Sequence, residues 1–280
     1  MDVSISLVNR LIKEGKYKEA EYESQMLSPV MALIYQSRIA ELTGYFDQAL
    51  KLGTKAFGLA KSSEERLAAA ICQAYAYWRL FDFSSGHIIL DEVRPELEET
   101  TLELNPWRGT YYNIRGLLYW KEDALEEALK NFETALVIRE DIGDNSPIAY
   151  TLNNLGNTYL KFKDFEKAES YYSQSRDRRE LLQHKPAMAA SANSFGRLYD
   201  AQGNYLAARK QHELCLSLWK EVGNTQFIAK AYRFLAINAA NQGLMDDFSE
   251  YIHRSTTLFQ EIGNSTDVQT NGSLSQKYMT

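Results

Sequence analysis

The stretch LNNLGNTYLKFKDFEKA, residues 152–168, decides the fold because it recurs. Counting forty residues either way from Gly156 reaches Gly116 and Gly196, and a further forty reaches Ala236. Inside the stretch, Phe165 and Ala168 form a second mark: an apolar residue, usually aromatic, with a small residue three places later. The same pairing is found at Tyr17 with Ala20, Phe46 with Ala49, Phe83 with Gly86, Leu125 with Ala128 and Tyr205 with Ala208, and a degenerate copy at Met245 with Phe248. Just before each aromatic position stands a turn former: Gly15, Gly44, Asp82, Asp123, Asp164, Gly203 or Gly243. A unit of helix, turn and helix is predicted. Self-similarity at this period predicts an all-α solenoid of about seven hairpins, whose usual work is holding other molecules.

The copies are not equally regular. Ala20, Ala49 and Gly86 are separated by unequal steps, whereas from Ala128 onward the step is constant. Residues 1–104 are therefore read as looser repeats and 105–264 as regular ones, together one extended domain. The second helices of the long units close on Ile142-Gly143-Asp144, Val222-Gly223-Asn224 and Ile262-Gly263-Asn264, where glycine can take the left-handed conformation that ends a helix. Asn105-Pro106, Ser146-Pro147 and Lys185-Pro186 place proline where a helix starts, and Thr225 is placed as a cap. Residues 265–280 show no convincing helical period and read as a polar, mobile tail.

Composition bounds the function. Apolar residues make up 45% and charged residues 24%, so the chain folds, and a net charge of −6 gives no general attraction for nucleic acid or anionic membranes. Two cysteines, Cys72 and Cys215, make neither a disulfide framework nor a zinc set. With no signal-like N-terminus and no long apolar run, a cytoplasmic location is expected.

Leu152, Leu155, Gly156, Tyr159, Ala168 and Tyr172 resemble the tetratricopeptide repeat, and the next unit (Ala192, Phe195, Gly196, Tyr199, Ala208, His212) and the previous one (Tyr112, Gly116, Tyr119, Ala128, Phe132) resemble it too. The long copies, with LNNLGN and IGD endings, are similar to the kinesin-light-chain and polarity-adaptor branch. The resemblance implies a right-handed superhelix with a concave surface lined by the first helix of each hairpin.

On a helical wheel with Gly156 at position eight, Leu152, Leu155, Gly156 and Tyr159 fall on one side, expected to be core. The opposite side is the one that the resemblance assigns to the concave surface. It carries Asn113 and Trp120 in one unit, then Tyr150, Asn153, Asn154, Asn157 and Lys161, then Asn193 and Arg197, then Lys230 and Arg233. Asparagine offers both donor and acceptor and can hold the main chain of a peptide, while the arginines and lysines favour a carboxylate-rich segment. Asn154 and Asn157 match positions that contact peptide backbone in related adaptors. Trp78 and Trp120 suit either packing between hairpins or anchoring a partner.

No catalytic set is found. His212 with Cys215 faces the hairpin core, no third metal ligand accompanies them, and phosphate-loop, metalloprotease and nucleophile-elbow patterns are absent. Arg176, Arg178 and Arg179 alternate with Asp177 and Glu180 as a surface ion-pair pattern. The expectation is a non-catalytic adaptor, without cofactor or metal, binding a peptide segment of a partner protein. The alternative is a regulatory sensor that binds a signalling peptide or small ligand and passes the signal to another protein.

Overall fold

A computed structural model of the chain describes residues 3–98, 106–181 and 185–279. Asn105, His184 and the acidic residues at 99 and 103 lie outside them. The chain is all-α. Its contacts divide into two compact units, Met1–Gly143 and Asp144–Thr280.

The first unit holds four hairpins: α1 (Val3–Lys13) with α2 (Tyr17–Ser24), α3 (Pro29–Thr43) with α4 (Phe46–Leu59), α5 (Ser63–Arg79) with α6 (Phe83–Glu92), and α7 (Pro106–Lys121) with α8 (Leu125–Ile142). A 3-10 turn, Pro95–Glu98, follows α6. The second unit holds three: α9 (Asn145–Lys161) with α10 (Phe165–Glu180), α11 (Lys185–Ala201) with α12 (Tyr205–Val222), and α13 (Thr225–Asn241) with α14 (Met245–Glu261), followed by a single helix, α15 (Ser265–Met279).

Helix ends follow from local chemistry. Gly143 and Gly223 are left-handed, with φ 79° and 77°, as expected where α8 and α12 stop. Two of the expected turn formers act differently. Asp82 and Asp164 cap α6 and α10, accepting from the Ser85 and Lys167 amides at 3.1 Å, and the left-handed positions fall one residue earlier, on Phe81 and Lys163. Asn224, not Thr225, caps α13, taking the Phe227 amide at 3.2 Å.

The seam inside each long hairpin joins a small residue on the first helix to a ring on the second. A Cβ at Gly156 would stand 2.6 Å from the Tyr172 ring, and one at Gly116 would stand 2.6 Å from the Phe132 ring; at Gly196 it would strike His212. Glycine is therefore required sterically, because all three rings are fully enclosed. Hydroxyls lock the seam: Ser175 donates to the Ala149 carbonyl at 2.7 Å and Ser255 to the Ala229 carbonyl at 2.8 Å.

The reading of residues 265–280 as an irregular tail is corrected. Asn264 caps α15, accepting from the Asp267 amide at 3.1 Å, and Asn271 is completely buried. The helix is polar and lacks an apolar stripe, so periodicity missed it; its supports are caps and tertiary hydrogen bonds.

Candidate partner-binding face

In the second unit, the asparagines of α9 are already engaged through their oxygens. Asn153 Oδ1 accepts from the Ser194 hydroxyl of α11 at 2.6 Å. Asn157 Oδ1 accepts from the Tyr172 hydroxyl at 2.9 Å and from Arg197 Nη1 at 2.9 Å. Each side chain thus ties α9 to its own partner helix or to the first helix of the next hairpin. What they still offer is their NH2 groups, which make no hydrogen bond to another described residue. Beside them stand Asn154, half-buried, Lys161, exposed, and Tyr150, 61% exposed, with the Arg179 guanidinium 5.7 Å from its ring centre.

Arg179 itself is buried, 4% exposed, and donates to the Ser191 hydroxyl at 3.3 Å; burial holds its pKa below the usual arginine value. It does not belong to the surface ion-pair pattern expected for its segment. Arg176 does, meeting Asp177 at 3.1 Å and Glu180 at 3.6 Å.

One unit later the ladder changes. Asn193 repeats Asn153, but Phe234 stands where Ser194 stood, and the enclosed Asn193 Oδ1 has no donor among the described residues. Phe234 instead stacks on the His212 ring, 5.6 Å between centres. His212, in the core as its position requires, meets Asp200 at 2.8 Å, and Asp200 in turn accepts from Asn238 at 2.6 Å. Lys230 lies 5.2 Å from the Phe227 ring centre. Arg233 is not open to a ligand: α15 occupies it, with Asp267 Oδ1 at 2.7 Å, the Asp267 carbonyl at 2.9 Å and Asn271 Oδ1 at 2.5 Å.

In the first unit, Asn113 is buried, donating to the Tyr75 hydroxyl at 3.3 Å and accepting from Arg139 at 3.4 Å. It ties α7 to α5 of the preceding hairpin and to its own partner helix, α8. Trp120 is half-buried, and Lys121 brings its ammonium within 5.9 Å of the Trp120 and Trp78 ring centres and 5.4 Å of Phe81. The sequence reading passed over two arginines of this unit: Arg38, 5.3 Å from both the Tyr35 and Trp107 rings, and Arg79, 3.7 Å from Glu41. Burial pushes the Glu41 carboxyl up, with Arg79 and Arg38 pulling it back. The unequal early spacing hid these positions, since no glycine sets the wheel there.

Residues 108–181 and 148–221 match the family described as Tetratricopeptide repeat. Residues 108–221 are therefore tetratricopeptide repeats. The chain is 29% identical over 131 residues to human SH3 domain and tetratricopeptide repeat-containing protein 2, a match covering 47% of this chain and 10% of that one. It is 31% identical over 110 residues to Photosystem I assembly protein Ycf3 of Cyanophora paradoxa, covering 39% and 58%. The chain therefore spans only part of the length of either relative. Among solved structures, a Rap protein complexed with Competence and Sporulation Factor has a TM-score of 0.80 at 12% identity, covering 99% of this chain and 81% of that one. At that identity the likeness concerns the fold alone.

Within the tetratricopeptide repeats, then, the α9–α11 face presents NH2 donors and a guanidinium, with a lysine and an exposed tyrosine at its margin. Such a face suits carbonyl and carboxylate oxygens. Among the described residues no three His, Cys, Asp or Glu side chains gather as a metal site, and no helix is long and apolar enough to cross a membrane.

Proposed function

We propose that this chain is a non-catalytic adaptor that holds a segment of a partner protein against the first-helix face of α9 and α11, through oxygens of that segment's main chain and acidic side chains. The observation that carries the reading is the polarity of the face. With Asn153 and Asn157 oxygens consumed inside the unit, their NH2 groups remain as donors, and Arg197 and Lys161 add positive charge. An acidic partner fits better than a basic one or than nucleic acid. Both cysteines are free and buried, which suits a reducing compartment, and the reading places the protein in the cytoplasm.

Asn157→Asp tests this without removing the internal tie, because a carboxylate oxygen accepts from Tyr172 and Arg197 as the amide oxygen does. The variant is expected to melt within a few degrees of the parent, while retention of acidic partners in affinity purification falls by about tenfold, the result of losing one donor and adding a repelling charge worth about 1.4 kcal/mol. Undiminished retention by the folded variant would reject the face as the binding site.

A sensor reading is favoured by the likeness to the Rap complex. It predicts a thermal-stability gain with a short peptide or small metabolite and none with protein partners.

A further inference from the structure

We propose that α15 is a displaceable occupant of a docking surface on α13 and α14, and that this surface accepts from a partner a helix carrying a carboxylate in its first turn and a side-chain amide one turn later. The inference rests on residues other than those of the α9–α11 face.

Arg233 is the centre of the surface. Its guanidinium lies 4.7 Å from the Phe259 ring centre, which backs it, and all three of its nitrogens are used on α15. Asp267 and Asn271 are four residues apart and so share one side of their helix. Asn271 reads the surface twice: its oxygen takes the Arg233 Nε hydrogen, while its NH2 donates to Ser255 Oγ at 2.9 Å and Thr256 Oγ1 at 3.0 Å. Recognition of a carboxylate and an amide at helical spacing is thus already built into α13 and α14.

The apolar part of the contact is thin. Of the described α15 side chains only Asn271 is buried; Leu274 and Tyr278 are partly covered, against Phe248 and its neighbours. By contrast α13 buries Ala229, Ala231, Tyr232, Leu235, Ala236 and Ala239. Burial of apolar area is what makes a helix part of a cooperative core, and a helix held by polar contacts opens locally at low cost. The combination of specific polar reading and small apolar burial is that of an exchangeable ligand more than of a core element.

The experiment is hydrogen exchange on the full chain, parent and Asp267→Asn, with and without a synthetic peptide spanning residues 264–279 at about 1 mM, the order of an effective concentration in cis. In the parent, α15 amides are expected to exchange well before those of α13 and α14. In Asp267→Asn they exchange faster again by about tenfold, the cost of a weakened charge-assisted hydrogen bond, while α13 and α14 keep their global rate until the peptide adds protection around Arg233 and Ser255. Exchange of α15 together with α13 and α14 at one common rate would overturn the proposal. So would an opened α15 with no peptide protection, since the surface would then take no helix in trans. Neither result depends on the partner of the α9–α11 face.

Discussion

Between pH 9 and pH 12 the stability of both units is expected to fall steeply. Burial pushes the Cys72 and Cys215 thiols up from 9.0 to about 12, weakly opposed by Arg38 and Ser37 at Cys72 and by the Trp219 side chain at Cys215. Tyr172 is raised by burial from 10.0 to about 12, with Arg197 opposing. Across this window the unfolded chain has released these protons and the folded chain has not. The contribution is complete below pH 9 and is lost as pH rises, at about 1.4 kcal/mol per pH unit for each group fully ionised only when unfolded. The second unit carries Cys215 and Tyr172, so its slope should steepen above pH 10. Urea unfolding followed by circular dichroism at pH 8, 9, 10 and 11 measures it. Cys215→Ala lowers stability at pH 8 but flattens the slope, so that parent and variant converge as pH rises; equal slopes in parent and variant would mean that the thiol ionises in the fold unhindered.

Phe132→Ala is expected to cost about 3–5 kcal/mol, toward the upper end, because the ring is fully enclosed and faces Gly116 across the seam. With glycine opposite, no side chain is at hand to collapse into the space. Gly116→Ala acts in reverse: its Cβ would stand 2.6 Å from Phe132 Cε1, and overpacking of about 1–3 kcal/mol outweighs the roughly 1 kcal/mol helix preference for alanine. The two changes relieve each other, so the double variant should be less destabilised than their sum by about 1 kcal/mol or more. Additive costs in a denaturant-based double-mutant cycle would show that the two residues do not meet.

That seam was legible in the sequence. Gly116, Gly156 and Gly196 recur against Phe132, Tyr172 and His212 at constant spacing, and steric demand on a glycine does not depend on anything outside the hairpin. The face opposite was only half legible. A helical wheel sets Asn153, Asn157 and Arg197 on equivalent sides of their helices, but a wheel describes one helix, and the Asn157–Arg197 and Asn153–Ser194 bonds depend on how successive hairpins meet. The same gap explains Arg233. Its charge reads as groove lining until α15 is seen on it, and α15 is held by Asn264, Asp267 and Asn271 without the apolar period that marks a helix in sequence. Arg179 was misread for a related reason: its neighbours Asp177 and Glu180 suggest an exposed pairing, whereas its place on α10 turns it toward Ser191.

The spacing of the polar ties has a consequence for how such a chain can change. Asn157 and Arg197 are 40 residues apart, Asn153 and Ser194 are 41 apart, and the Ser175–Ala149 lock is repeated 80 residues later as Ser255–Ala229. The ties thus keep the spacing of the apolar seams, although the side chains that make them vary from unit to unit. A gain or loss of one whole unit keeps the glycine–ring seams and the serine locks, which lie inside single hairpins, while it changes the partners of Asn153 and Asn157, since the unit after α11 presents Phe234 and Ile237 where Ser194 and Arg197 stand; a gain or loss out of phase breaks the seams as well. Length in this array is therefore free to drift only in steps of a complete hairpin.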